Sequence, residues 1–164
     1  MSGTSSRRAR RLGGALAILL VLAGGPRAPS ADPGDDEIAR LLVPAATDPA
    51  PVKQFKETGR NPYRDDADAI AAGFTLARAV ACTHCHGPDL SGLIGPNLTT
   101  GQWRYPRDAT DTGMFQTIFF GTNGGMAAWG KLGSLTEDEI LRIMAFVRSR
   151  YRGGSAGATR DEGR

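Results

Sequence analysis

Both cysteines and both histidines of this 164-residue chain fall in the five positions CTHCH, residues 82–86. That clustering constrains the fold more than any composition figure. Two cysteines three residues apart cannot tie distant parts of a chain together, so no disulfide framework holds this protein. The centre of the fold must come from packed side chains or from something held at the cluster.

Around the cluster the sequence reads as all-α, a few helices joined by long glycine-rich loops. DADAIAAGFTLARAVA, residues 66–81, has Asp65 or Asp66 as cap and Ile70, Phe74, Ala77 and Val80 or Ala81 at helical spacing, and runs straight into the cluster. Gly73 sits inside that helix, where glycine costs roughly 1 kcal/mol against alanine, so a close crossing by another helix is expected there. TEDEILRIMAFVRSRY, residues 136–151, opens with the capping box Thr136 and Glu139 and carries the apolar stripe Ile140, Ile143, Met144, Val147, Tyr151. A shorter helix is expected over DTGMFQTIFF, residues 111–120, capped by Asp111 with Met114, Phe115, Ile118 and Phe119 turned inward. No strand pattern or internal repeat is visible. The long loops leave this set of helices short of side chains for a core.

The two ends read differently. Residues 1–30 combine a basic start, the apolar run LGGALAILLVLAGG and small residues, the pattern of a cleaved secretory leader. The run is shorter than the ~20 residues a membrane span needs, so no span is expected after cleavage. Removing the leader takes five arginines and changes the net charge from +3 to near −2, which withdraws the argument for nucleic-acid binding. Residues 31–60 contain four prolines and read as a loop-rich extension with one short helix in DDEIARLLV. The main domain is expected over 61–153, with a loose tail over 154–164.

Cys82, Cys85 and His86 spell C-x-x-C-H, the attachment signature of c-type haem. In one helical turn these positions share a face, so two thiols and an imidazole can meet one flat ligand. Other readings fit less well. A structural zinc site wants two separated pairs of ligands, and a thioredoxin-like motif wants a βαβ context. A simple Cys82–Cys85 disulfide leaves His86 unexplained. The expected cofactor is one covalent haem c, with the cysteines on its vinyl groups and His86 on the iron. Met114 and Met144 lie on apolar stripes where core packing is the ordinary role, and Lys131 competes only at high pH. Met126, in a loop after Gly124 and Gly125, is the candidate sixth ligand.

The order of a helix with Gly73, CTHCHG, LIGPNL, a glycine loop with Met126, and the terminal MAFVRS resembles class I cytochrome c. NPYRDDADAIAAG, IGPNL, W-x-YP with DATDTGMFQTIFFGTNGGM, and LTEDEILRIMAFVRSRYRGG resemble the cytochrome c-L family in particular. The first resemblance implies that Gly73 packs on the terminal helix near Phe146 and that the Pro96 carbonyl receives the His86 ring N–H. The second implies that Trp103 and Tyr105 border the haem near its propionates, ordinary core packing being the alternative for both. It also implies an electron carrier, not an enzyme, located in the periplasm. Its donor would be a PQQ-dependent methanol or other alcohol dehydrogenase, its acceptor a smaller cytochrome c or a terminal oxidase. A haem sensor or peroxidase-like protein with an open sixth position is the competing expectation.

Overall fold

The computed structural model describes residues 34–151, and the expected leader and tail lie outside them. Six α-helices follow in order: α1 (Asp35–Leu41), α2 (Ala50–Thr58), α3 (Ala67–Ala79), α4 (Cys82–His86), α5 (Asp111–Phe120) and α6 (Glu137–Ser149), with a 3-10 turn at Pro106–Ala109. No strand occurs among the described residues.

The centre of the frame is the crossing of α3 over α6. Asp66 caps α3 by accepting from the Ala69 N–H at 2.9 Å, one of the two caps expected. The buried stripe of α3 is Ala69, Gly73 and Ala77, so that of the expected stripe Ala77 is buried while Ile70 and Val80 are half-buried. Phe74 is 40% exposed and stacks edge-on against Phe146, with ring centroids 5.3 Å apart. Small residues win the inner face because α6 comes so close. A Cβ at position 73 would collide with the backbone carbonyl of Arg142. This is the close crossing that tolerates glycine, one turn before Phe146.

The α6 capping box forms as read: Thr136 Oγ1 accepts from Glu139 N at 3.3 Å and the Glu139 carboxylate accepts from Thr136 N at 2.8 Å. Seven residues of α6 are buried, Ile140, Leu141, Ile143, Met144, Ala145, Phe146 and Val147, a wider face than one stripe because α3, α5 and α2 all pack on it. In α5 the expected cap moves by one residue. Thr110 Oγ1 accepts from Gly113 N at 3.0 Å. The Asp111 carboxylate instead receives the Asn61 N–H at 2.9 Å and Arg148 Nε at 3.3 Å. Phe120, not Phe119, completes the buried set with Met114, Phe115 and Ile118.

The expectation of a loop-rich stretch over 31–60 is corrected by α2. Pro49 is its N-cap and Pro51 lies in its first turn, where a missing N–H costs no helical hydrogen bond. The prolines therefore start this helix instead of breaking it. Val52 and Phe55 are fully buried, and the Phe55 ring lies 4.8 Å from Phe115. Lys56 bridges Asp48 at 3.1 Å and Glu137 at 2.8 Å, joining α2 to the start of α6. The short helix read in DDEIARLLV is α1.

Candidate functional site

The chain turns sharply into the cysteine cluster. Ala81 takes left-handed backbone angles (φ 62°, ψ 23°), which separates α3 from α4, so the helix does not run straight through. Both thiols are unbridged, Cys82 half-buried and Cys85 exposed. Burial pushes the Cys82 thiol up to about 11. His84 is exposed, while His86 is 9% exposed with Nδ1 at 2.9 Å from the Pro96 carbonyl oxygen. A carbonyl only accepts, so the ring donates from Nδ1 and keeps its Nε2 lone pair for a ligand.

The loop after α4 is fitted closely to that ring. Gly92 N donates to His86 O and Gly95 N to Cys85 O, both at 2.7 Å, and Leu98 N to Leu90 O at 2.8 Å. A Cβ at Gly95 would stand 2.8 Å from His86 Cε1, closer than carbon atoms pack, so the IGP motif needs its glycine. Leu93 and Ile94 at the tip of this loop are 68% and 91% exposed.

Between this loop, the segment 103–105, α5 and the loop 121–129 lies a cavity of about 260 Å³. The residues expected to hold or border a haem all line it: Cys82, Cys85, His86, Pro96, Trp103, Tyr105 and Met126. Met114, Ile118 and Val147 floor it with hydrocarbon, and Met126 also packs on the core. The Met126 loop is closed by Thr122 N to Met126 O at 3.0 Å and anchored by Trp129 N to Ile118 O at 3.2 Å. Trp103 carries the Arg148 guanidinium 5.0 Å above its ring, and Tyr105 carries that of Arg107 at 5.2 Å. Met144 is fully buried in the core and does not line the cavity, whereas Met114 does both.

Sequence reasoning missed Ile94, Asp108, Thr117 and Trp129, which also line the cavity. Ile94 sits in the quoted IGPNL run, three residues after Met126 stands Trp129, and Thr117 lies on the expected α5. Asp108 belongs to a 3-10 turn with no periodic signal of its own.

A family model for the cytochrome c oxidase cbb3-type subunit III matches residues 68–147. Cytochrome c-L of Methylorubrum extorquens is 43% identical over 102 residues, 62% of this chain and 50% of that protein. The crystal structure of cytochrome cL from the marine methylotroph Methylophaga aminisulfidivorans superposes with a TM-score of 0.62 at 40% identity, covering 68% of this chain and 74% of that one. The chain belongs to the cytochrome c-L family. Cytochrome cL from Hyphomicrobium denitrificans agrees, with a TM-score of 0.64 at 34% identity over 74% of this chain and 71% of that one. The CcoP subunit of the cbb3-type cytochrome c oxidase of Rhodobacter capsulatus is a more distant relative, 33% identical over 117 residues and 37% of its length. This cytochrome thus spans half the length of the curated cytochrome c-L it matches and has the class I cytochrome c fold.

Membership implies haem c, and the cavity suits it. Two thiols, an imidazole with a free Nε2 and a thioether share one hollow, floored by hydrocarbon and edged by Arg104, Tyr105 and Asn97, groups able to bind carboxylates. Among the described residues no three His, Cys, Asp or Glu side chains converge as a site for a bare metal ion.

Proposed function

We propose that this chain is an exported, single-haem electron carrier. It takes electrons one at a time from a PQQ-dependent alcohol dehydrogenase, methanol dehydrogenase first among them, and passes them to a smaller cytochrome c or a terminal oxidase. The observation that carries this reading is the convergence of Cys82, Cys85, His86 and Met126 on one cavity in a chain 40% identical to a methylotroph's cytochrome cL.

Haem bound here would supply one-electron chemistry at its iron. The chain's own residues do the rest. Cys82 and Cys85 would hold the ring by thioether bonds, and His86, held in one tautomer by Pro96, would offer Nε2. Met126 would offer its thioether as the second iron ligand, and Trp103 and Tyr105 would border the haem, with Arg104 available to offset propionate charge. Ile94, which lines the cavity with Cys85, and its neighbour Leu93 are exposed and give a partner an apolar surface.

The test is stopped-flow reduction of the oxidised protein by PQQ methanol dehydrogenase and methanol, with an unrelated small cytochrome c as control. Fast, saturable and salt-sensitive reduction of this protein alone is expected. Reduction no faster than the control refutes the donor. High-spin ferric haem with rapid carbon monoxide binding to the ferrous form refutes Met126 ligation and favours a sensor or peroxidase-like role.

A further inference from the structure

One buried carboxyl has no part in holding haem or building a helix. Asp108, 7% exposed, lies in the 3-10 turn that precedes α5 and lines the cavity. It caps nothing, since Thr110 caps α5. Thr117 Oγ1, itself buried on α5, donates to Asp108 Oδ1 at 2.6 Å and receives Arg107 Nε at 3.2 Å. A relay of three polar side chains thus ends in a carboxyl on an otherwise largely apolar wall.

The charged groups around it are few. Arg107 shares its turn. From α6, Arg148 donates to the Asp108 backbone carbonyl at 2.8 Å and pairs with Asp111, the acid that opens α5. Around the rest of the cavity stand Arg104, Tyr105 and His86, whose ring is committed to Pro96, together with the Cys82 and Cys85 sulfurs. Burial holds the Asp108 carboxyl above the ordinary carboxylate range, against the opposing pull of the Thr117 hydrogen bond and of Arg107 and Arg148.

We propose that Asp108 couples a proton to the electron, taking one from solvent as an electron arrives from the donor protein and releasing it as the electron leaves. The inference rests on the haem reading above. Ferric haem carries one more positive charge than ferrous haem, and a carboxylate on the wall of the same weakly screened cavity favours the ferric state. By linkage, the arriving electron raises the affinity of Asp108 for a proton equally. One electron enters the haem, one proton enters the carboxyl, and no bond to the haem is made or broken.

The experiment is spectroelectrochemical titration of the holoprotein across a pH series, for the wild type, Asp108→Asn and Thr117→Val. At fixed applied potential the wild-type ferrous-to-ferric ratio is expected to fall with rising pH, by up to tenfold per unit, about 59 mV, between the two pKa values of Asp108. The fall should be lost in Asp108→Asn. In Thr117→Val it should move to higher pH, because the lost hydroxyl favoured the carboxylate. Infrared difference spectra of the wild type give a second readout that needs no Asn variant to fold. A protonated-carboxyl stretch should appear on reduction, shift in deuterium oxide and change frequency in Thr117→Val. A slope unchanged in Asp108→Asn assigns the proton to the haem propionates and overturns the inference, as does a flat wild-type titration or the absence of that infrared band. A preparation lacking haem bands altogether overturns the haem reading itself.

Discussion

Where α3 crosses α6, alanines and a glycine bring two backbones together and leave no room between them. On the other side of Met114, Ile118 and Val147, loops rich in glycine surround a hollow of about 260 Å³. The frame is closed by its own side chains, whereas the cavity wall surrounds space that the chain's own side chains do not fill. The difference explains how a chain with long loops keeps a definite fold. Its helices α2, α3 and α5 all pack on α6, and this packed half holds the loops around the other. Substitutions in the frame should therefore act on stability, and substitutions in the wall on spectrum and potential.

The largest effect expected in the frame is from Gly73→Val. Its branched side chain meets the Arg142 carbonyl, backbone that cannot move aside without unpacking α6. A loss on the order of 3 kcal/mol or more is expected, read as little or no folded protein by circular dichroism. Next is Phe55→Ala, which empties a fully buried site against Phe115. It should cost about 3–5 kcal/mol in urea unfolding while leaving the haem bands in place. An altered spectrum with unchanged stability would break the division between frame and wall. Thr136→Ala removes the reciprocal cap of α6 and should cost about 1 kcal/mol.

The smallest expected effect is a slope with pH. Because burial raises the Asp108 pKa, the folded state holds that proton more tightly than the unfolded chain. This contribution is fully favourable below the ordinary carboxylate pKa and is lost as pH rises through the raised one. Thr117, Arg107 and Arg148 offset much of the burial, so the decline is shallow. Urea midpoints across that interval should fall slightly in the wild type and stay level in Asp108→Asn.

The lettering of the chain showed the frame and the wall unequally. The Thr136/Glu139 box and the stripe members Ile140, Ile143, Met144 and Val147 are local patterns that formed where they were read, while Tyr151 falls beyond the end of α6 and is half-buried; C-x-x-C-H occupies the single turn of α4. Two errors came from a contact that no local pattern records. The expected α3 stripe includes the bulky Ile70, Phe74 and Val80 beside Ala77, yet the partner helix selects the small Ala69 and Gly73 with Ala77. The prolines of residues 49–51 were read as breakers, though at a helix start they are neutral, and only the burial of Phe55 shows that α2 belongs to the core. The cavity members Cys82, Cys85, His86, Pro96, Trp103, Tyr105 and Met126 were legible through motif and resemblance together. Asp108 was not, because its environment is made by Thr117 and Arg148, nine and forty residues away.

Arg148 has a consequence of its own. Its guanidinium reaches from the last turn of α6 to the carbonyls of Asp108, Ala109 and Thr110, pairs with Asp111 and lies over Trp103. One side chain thus fastens two sections of the cavity's rim to the end of α6. The rim takes its alignment from a helix some forty residues further along the chain. A disturbance at the end of α6 is therefore passed to the mouth of the cavity through a single guanidinium.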